Sequence, residues 1–107
     1  MATHKSLVLH EYGKMPVYQD FAKPTPQEGQ LLIKVEGSTV NPSDRLRVEG
    51  SYFPVALPAT MGLEGTGRVV EANGENIQTW VGKRVCFTQA GSGSWGEFAV
   101  SVPNSTF

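Results

Sequence analysis

Apolar and polar residues alternate along this chain in short stretches, and the dominant period is near two rather than 3.6. The strongest run is Gln30 to Val40, whose alternation from Leu31 to Val35 suits a half-buried strand. Ser6 to His10 predicts a first strand, stopped by the turn signal around Gly13. Tyr18 to Lys23 is a weaker one, closed by Pro24 and Pro26, which cannot donate to a ladder. Gly67 to Glu71 reads as a second strong strand, followed by the tight-turn pair Asn73-Gly74. Lys83 to Thr88 and Gly96 to Ser101 complete the series, with a loop from Ala90 to Ser94 between them. The only helical signal is short: Asn41 to Asp44 breaks the best strand, Ser43 or Asp44 offers a cap, and Arg45 to Glu49 forms a turn or two ending at Gly50. A proline-containing loop then runs through Pro54 and Pro58. Short strands at irregular intervals with turn chemistry between them predict a mainly β domain, a small barrel or sandwich.

Composition narrows this further. The 107 residues suit one domain, and cannot hold both a small β domain and a complete dinucleotide-binding domain. Twelve glycines and seven prolines are too few for a collagen and too well mixed with Val, Ile, Leu and Phe for disorder. A net charge of −1, with no basic run beyond Lys83-Arg84, leaves no electrostatic footprint for nucleic acid. No apolar run approaches the ~20 residues of a membrane span. The segment Met1 to Tyr12 lacks the apolar core of a signal peptide and the bias of a transit peptide. One cysteine, Cys86, excludes an intrachain disulfide framework and a cysteine-based zinc cluster. A reducing compartment is expected, the cytoplasm first, with the mitochondrial matrix also open.

The cluster Gly62-Leu63-Glu64-Gly65-Thr66-Gly67 invites a phosphate-loop reading. Such a loop must open a helix whose first amides face the anion. Here Arg68-Val69-Val70 continues as a strand, and Glu64 would repel a phosphate. Glycines at a close strand crossing or a bulge explain the cluster better.

The order of motifs is more specific than any one of them. Val40-Asn41-Pro42-Ser43-Asp44, Gly50-Ser51-Tyr52 and Leu57-Pro58 precede the glycine cluster and Arg68-Val69-Val70. Val81-Gly82-Lys83-Arg84-Val85 and Gly93-Ser94-Trp95-Gly96-Glu97-Phe98-Ala99-Val100 follow it. From Leu7 to Phe107 this series resembles the N-terminal GroES-like catalytic domain of medium-chain dehydrogenases/reductases. Within them it is most similar to the zinc-independent quinone oxidoreductases and 2-enoyl thioester reductases. The resemblance implies a partly open β-barrel with short helical turns, and a Rossmann-type cofactor domain that these residues do not contain. Zinc-dependent relatives carry Cys where this chain has Asn41 and His where it has Leu63; an amide and an isobutyl group cannot replace those ligands.

By resemblance, the activity is hydride transfer from NADPH to a small electrophile, an activated C=C or a quinone. Tyr52 then occupies the loop that holds a proton-donating tyrosine, and a phenol is mostly protonated at neutral pH. Asn41 matches an amide that faces the nicotinamide and ribose, and Ser43 beside it matches a cofactor-side hydroxyl. Trp95 matches the rim of the substrate cleft. Plainer readings stand beside these. Tyr52 suits a loop tyrosine covering apolar surface, and Asn41 a turn initiator before Pro42. Asp44 reads as a helix cap, Glu64 as a hydrogen-bonded carboxylate tying down the glycine crossing. Cys86 reads as an inert strand thiol, His4 and His10 as exposed strand-end residues, Trp80 and Trp95 as packing anchors, and Lys83-Arg84 as a solvated turn. An accessory module without catalysis is the alternative function. In either case a Rossmann domain or partner subunit is expected to cover an incomplete sheet.

Overall fold

The computed structural model describes residues 2–52, 54–88 and 92–107. Among the described residues seven strands form two antiparallel sheets. Strands β1 (Thr3–Leu9), β2 (Val17–Ala22) and the two-residue β4 (Ala59–Thr60) make one sheet in the order β2-β1-β4. Strands β3 (Leu31–Ser38), β5 (Glu64–Ala72), β6 (Arg84–Thr88) and β7 (Phe98–Ser101) make the other in the order β6-β5-β3-β7. The sheets are joined where β1 meets the approach to β7. Leu7 N–H donates to Trp95 O at 2.8 Å, Glu97 N–H to Lys5 O at 3.0 Å, and Ser6 bridges Gly96. The result is a GroES-like, partly open β architecture without a closed barrel, as the motif order implies.

Alternation dictates the core. Leu31 and Ile33 of β3, Val69 of β5, Val85 and Phe87 of β6 and Ala99 of β7 form one buried cluster. Burying a side chain of this kind contributes about 1.5–3 kcal/mol each. Trp80 and Ile77, from the 3₁₀ turn Glu75–Trp80, pack on this cluster, so Trp80 is a packing anchor. The pair Asn73-Gly74 leads into that turn, with Gly74 at φ +148°.

The strand β5 begins at Glu64, three residues before the expected start, and takes most of the glycine cluster into the sheet. A side chain on Gly65 would stand 2.9 Å from the Phe87 ring and 3.0 Å from Gly37 O. The β3–β5 register shifts between Leu32 and Ile33 and between Val35 and Gly37. The cluster is therefore a close, bulged crossing, and no helix follows it.

Helix α1 spans Pro42–Val48 with Asn41 as its cap, which corrects the expected Arg45–Glu49. Pro42 sits at the first turn, where a missing N–H leaves no bond unmade. His4 corrects another expectation. It is only 5% exposed and accepts a 3.1 Å bond from Phe98 N–H at Nδ1. Thr3 to Leu9 turns His4, Ser6 and Val8 to the same inner face, so the strand's period overrides the polarity of the imidazole. His10 lies at the exposed end and bonds Gln19, and Cys86 is exposed on β6. The loop expected from Ala90 to Ser94 begins outside the described residues. No helix among the described residues is long and apolar enough to cross a membrane.

Candidate functional site

The end of β3 and the start of β5 lie side by side, because Ser38 pairs with Gly65. The chain leaving β3 therefore passes Glu64 before it enters α1. Asn41 Nδ2 donates to Thr39 Oγ1 at 3.1 Å and to Glu64 Oε2 at 3.4 Å. Thr39 Oγ1 also donates to Glu64 Oε2, at 3.5 Å. An amide, a hydroxyl and a carboxylate thus share one small hydrogen-bonded set at the surface.

Backbone and side chains from elsewhere fix this corner. Ser38 Oγ donates to Glu64 O at 2.8 Å, which leaves it to accept from Ser94 Oγ, also at 2.8 Å. Trp95 Nε1 donates to Thr39 O at 3.1 Å. Trp95 thus ties its own loop to the Asn41 segment. Below, Asp44 is 2% exposed and accepts from Asn41 N–H at 2.6 Å through Oδ2. Asp44 caps the helix from its third position, reaching back to the cap residue.

Two grooves flank the set, divided by Gly37 and Ser38, which line both. One, of about 490 Å³, runs between Tyr18, Val35, Val40 and Trp95. The other, of about 520 Å³, lies between Thr39, Glu64, Cys86 and Phe107. Both walls are mostly apolar; the Ser38 hydroxyl lies at their shared edge, Thr39 and Glu64 line only the second, and Lys5, Glu36 and Glu97 line the first.

Of the residues picked from the sequence, the structure brings Asn41 and Glu64 together, with Thr39 as an unforeseen third member. Ser43 is half-buried as the second residue of α1 and lies outside the hydrogen-bonded set. Tyr52 stands in the loop after α1, 38% exposed, and lines neither groove. A clamp that sequence reasoning missed holds that loop. Tyr12 Oη donates to Val55 O at 2.7 Å and accepts from Val55 N–H at 2.8 Å. Its ring covers Gly50, whose φ of +88° makes the turn out of the helix. The partners are 43 residues apart, and no local pattern announces such a contact.

The same donor set discriminates among ligand groups. It contains amide, hydroxyl and carboxylate but no cation, so it suits a carboxamide or ribose hydroxyl and opposes a pyrophosphate. Leu63, next to Glu64, is 8% exposed and offers no metal ligand. Among the described residues no group of three His, Cys, Asp or Glu is placed to hold a metal ion.

The model of the alcohol dehydrogenase GroES-like domain matches residues 27–104. The chain belongs to that family. Through it the domain belongs to the medium-chain dehydrogenases/reductases. The quinone oxidoreductase of Lama guanicoe is 35% identical over the whole of this chain, which spans 35% of that protein. A mitochondrial enoyl-[acyl-carrier-protein] reductase of Caenorhabditis elegans is 33% identical over 77% of the chain, which covers 24% of it. A Mesorhizobium loti structure provisionally named an NADPH:quinone reductase superposes with a TM-score of 0.89 at 30% identity. It is matched over 100% of this chain and 36% of its own. This GroES-like domain therefore spans about a third of the length of the quinone oxidoreductase relatives it matches.

Proposed function

We propose that this GroES-like domain is the substrate-side portion of a zinc-independent, NADPH-dependent oxidoreductase acting on a quinone or an activated C=C. The observation that carries the reading is the hydrogen-bonded pair of Asn41 and Glu64, with apolar Leu63 beside it. Amide and isobutyl stand where a zinc-dependent enzyme needs thiolate and imidazole, and the set that results is one for hydrogen bonding. The names of the quinone and enoyl reductase relatives support the same substrate classes.

In this reading Asn41 and Ser43 face the nicotinamide and ribose. The Asn41 amide can donate to and accept from a carboxamide, while Glu64 holds it in place and can accept from a hydroxyl. A bound NADPH supplies the hydride. By the family resemblance, Tyr52, which lines neither groove, supplies the matching proton to the substrate oxygen or carbon. The groove between Val40 and Trp95 seats the apolar body of the substrate, and the cofactor's pyrophosphate is held by a Rossmann domain outside these residues.

Two measurements test this. Calorimetry on the 107-residue chain alone is expected to show no measurable NADPH binding and no quinone reduction; micromolar binding would overturn the division of labour. Joined to the cofactor domain of a quinone oxidoreductase relative, the chain is expected to support NADPH-dependent quinone reduction. There Tyr52→Phe should lower kcat by about 100-fold, as loss of a general acid does. An unchanged kcat would remove Tyr52 from the chemistry.

A further inference from the structure

One turn of α1 carries two buried charged side chains that no step above uses. Asp44 is 2% exposed and Arg47 3%. Three residues apart, they lie on the same face of the helix and bond two different chain segments. Asp44 Oδ2 accepts from the Asn41 backbone N–H at 2.6 Å, while Arg47 Nη1 donates to Gly62 O at 3.2 Å. Gly62 lies two residues before Glu64, and Asn41 is the cap of α1 itself. The two charges thus grip the two chain segments whose side chains meet as Asn41 Nδ2 and Glu64 Oε2.

Helix stability alone does not account for the arrangement. A seven-residue helix capped by an exposed carboxylate would gain the same bond at its N-terminus without burying a charge. Here, among the described residues, Asp44 Oδ1 has no hydrogen-bond partner although it is fully enclosed. A carboxylate left half-satisfied in the interior opposes folding, and such groups persist where they hold something in place. The attraction between Arg47 and Asp44 partly offsets this: burial lowers the pKa of the guanidinium, and Tyr12 and Asp44 oppose that lowering.

We propose that Asp44 and Arg47 are positioning residues, a buried strut that sets the Asn41 amide against the Glu64 carboxylate. The inference rests on the reading of Asn41 as the cofactor-facing amide for its consequence, but not for its geometry. Neither residue lines the two grooves beside the site. Asp44 acts through the Asn41 backbone, and Arg47 through the Gly62 backbone.

The test is a spectroscopic double-mutant cycle on the 107-residue chain, with no cofactor present, so that its failure is separable from failure of the proposed activity. The readout is the proton chemical shifts of the Asn41 side-chain amide, measured by NMR before and after Glu64→Ala. In the wild-type background Glu64→Ala should shift these protons clearly, because it removes their acceptor. In the Asp44→Ala background the same change should have at most about a third of that effect, since the amide no longer points at residue 64. Asp44→Asn keeps an oxygen for the Asn41 N–H and should retain more than half of it. An undiminished effect in Asp44→Ala, or equal losses in the alanine and asparagine variants, overturns the proposal. Should Asp44→Ala not fold, amide hydrogen exchange of the wild type decides. The Asn41 N–H should exchange at least tenfold more slowly than the exposed Val40 N–H, and equal rates overturn the strut.

Discussion

Replacing Gly67 by alanine tests whether the glycine cluster serves a strand crossing. An added Cβ would fall 2.2 Å from Lys34 O, 2.8 Å from Ile33 Cγ2 and 2.9 Å from Lys34 C. Ordinary contact begins at 3.4 Å, so the overlap with the carbonyl oxygen exceeds an ångström. Two of these atoms are backbone and cannot rotate away. The strand β3 must withdraw from β5 where Val35 faces Gly67. Overpacking of this kind costs about 1–3 kcal/mol, and each ladder bond lost adds about 1 kcal/mol. Together these give ~3 kcal/mol, a large part of the roughly 5–15 kcal/mol that holds a domain folded. Gly82→Ala is the control. Gly82 has φ +91° but nothing within 4 Å of an added Cβ, so only backbone strain of about 1 kcal/mol is expected. Thermal denaturation followed by circular dichroism and by tryptophan fluorescence measures both. Gly67→Ala should lose ~15 °C in Tm and Gly82→Ala ~5 °C, given the usual conversion for a chain of this size. Equal losses would refute the crossing argument. A glycine needed only to admit an anion would show little effect on stability without that anion.

Two further substitutions probe the frame around the site. The buried His4 has its pKa lowered by desolvation and by Lys23, against the opposing pull of Glu97. Above pH 6.5 both folded and unfolded forms are neutral at this position and its contribution is complete; below it the unfolded chain takes a proton that the folded one resists, so stability falls. The difference in unfolding free energy between pH 7.5 and 5.5 should therefore be smaller in His4→Gln than in the wild type, and an identical pH dependence would exclude His4 as a source. Tyr12→Phe removes both bonds to Val55 and strands a partly buried N–H and C=O; urea denaturation should show a loss of about 1–3 kcal/mol. A loss within error would mean that the loop carrying Tyr52 is held by other contacts.

Much of the fold was legible because its information is local. The alternation in β3 and β6 is enough to assign the inward faces of Leu31, Ile33, Val85 and Phe87. Local signals misled where two of them competed. In β1 the polarity of His4 suggested exposure, yet its phase with Ser6 and Val8 sent it inward, and only the bond to Phe98 N–H, 94 residues away, makes that tolerable. The helix began early for a similar reason: Asn41-Pro42 reads equally as a turn or as a cap with proline in the first turn. What separates them is Asp44 reaching back to Asn41 N–H. Arg47 carries no sequence signal of burial, since its acceptor is the carbonyl of Gly62, 15 residues on. The motif order pointed to Asn41 and left Glu64 a structural carboxylate; their contact needs the register of β3 on β5, which no alternation pattern encodes.

That register also joins the glycines to the candidate site. Asn41 can reach Glu64 only if β3 and β5 end together, and they do so because Ser38 is opposite Gly65. The pairing requires β3 to approach β5 closely at Gly65 and Gly67, and a side chain at either would meet Gly37 O or Lys34 O at 3.0 Å or less. The bulge between Val35 and Gly37 then turns the last residues of β3 towards Glu64. A cluster that looks like a phosphate loop in the sequence therefore shapes the candidate site by a different route. It lets two strand ends converge, and the amide and carboxylate meet at the point of convergence.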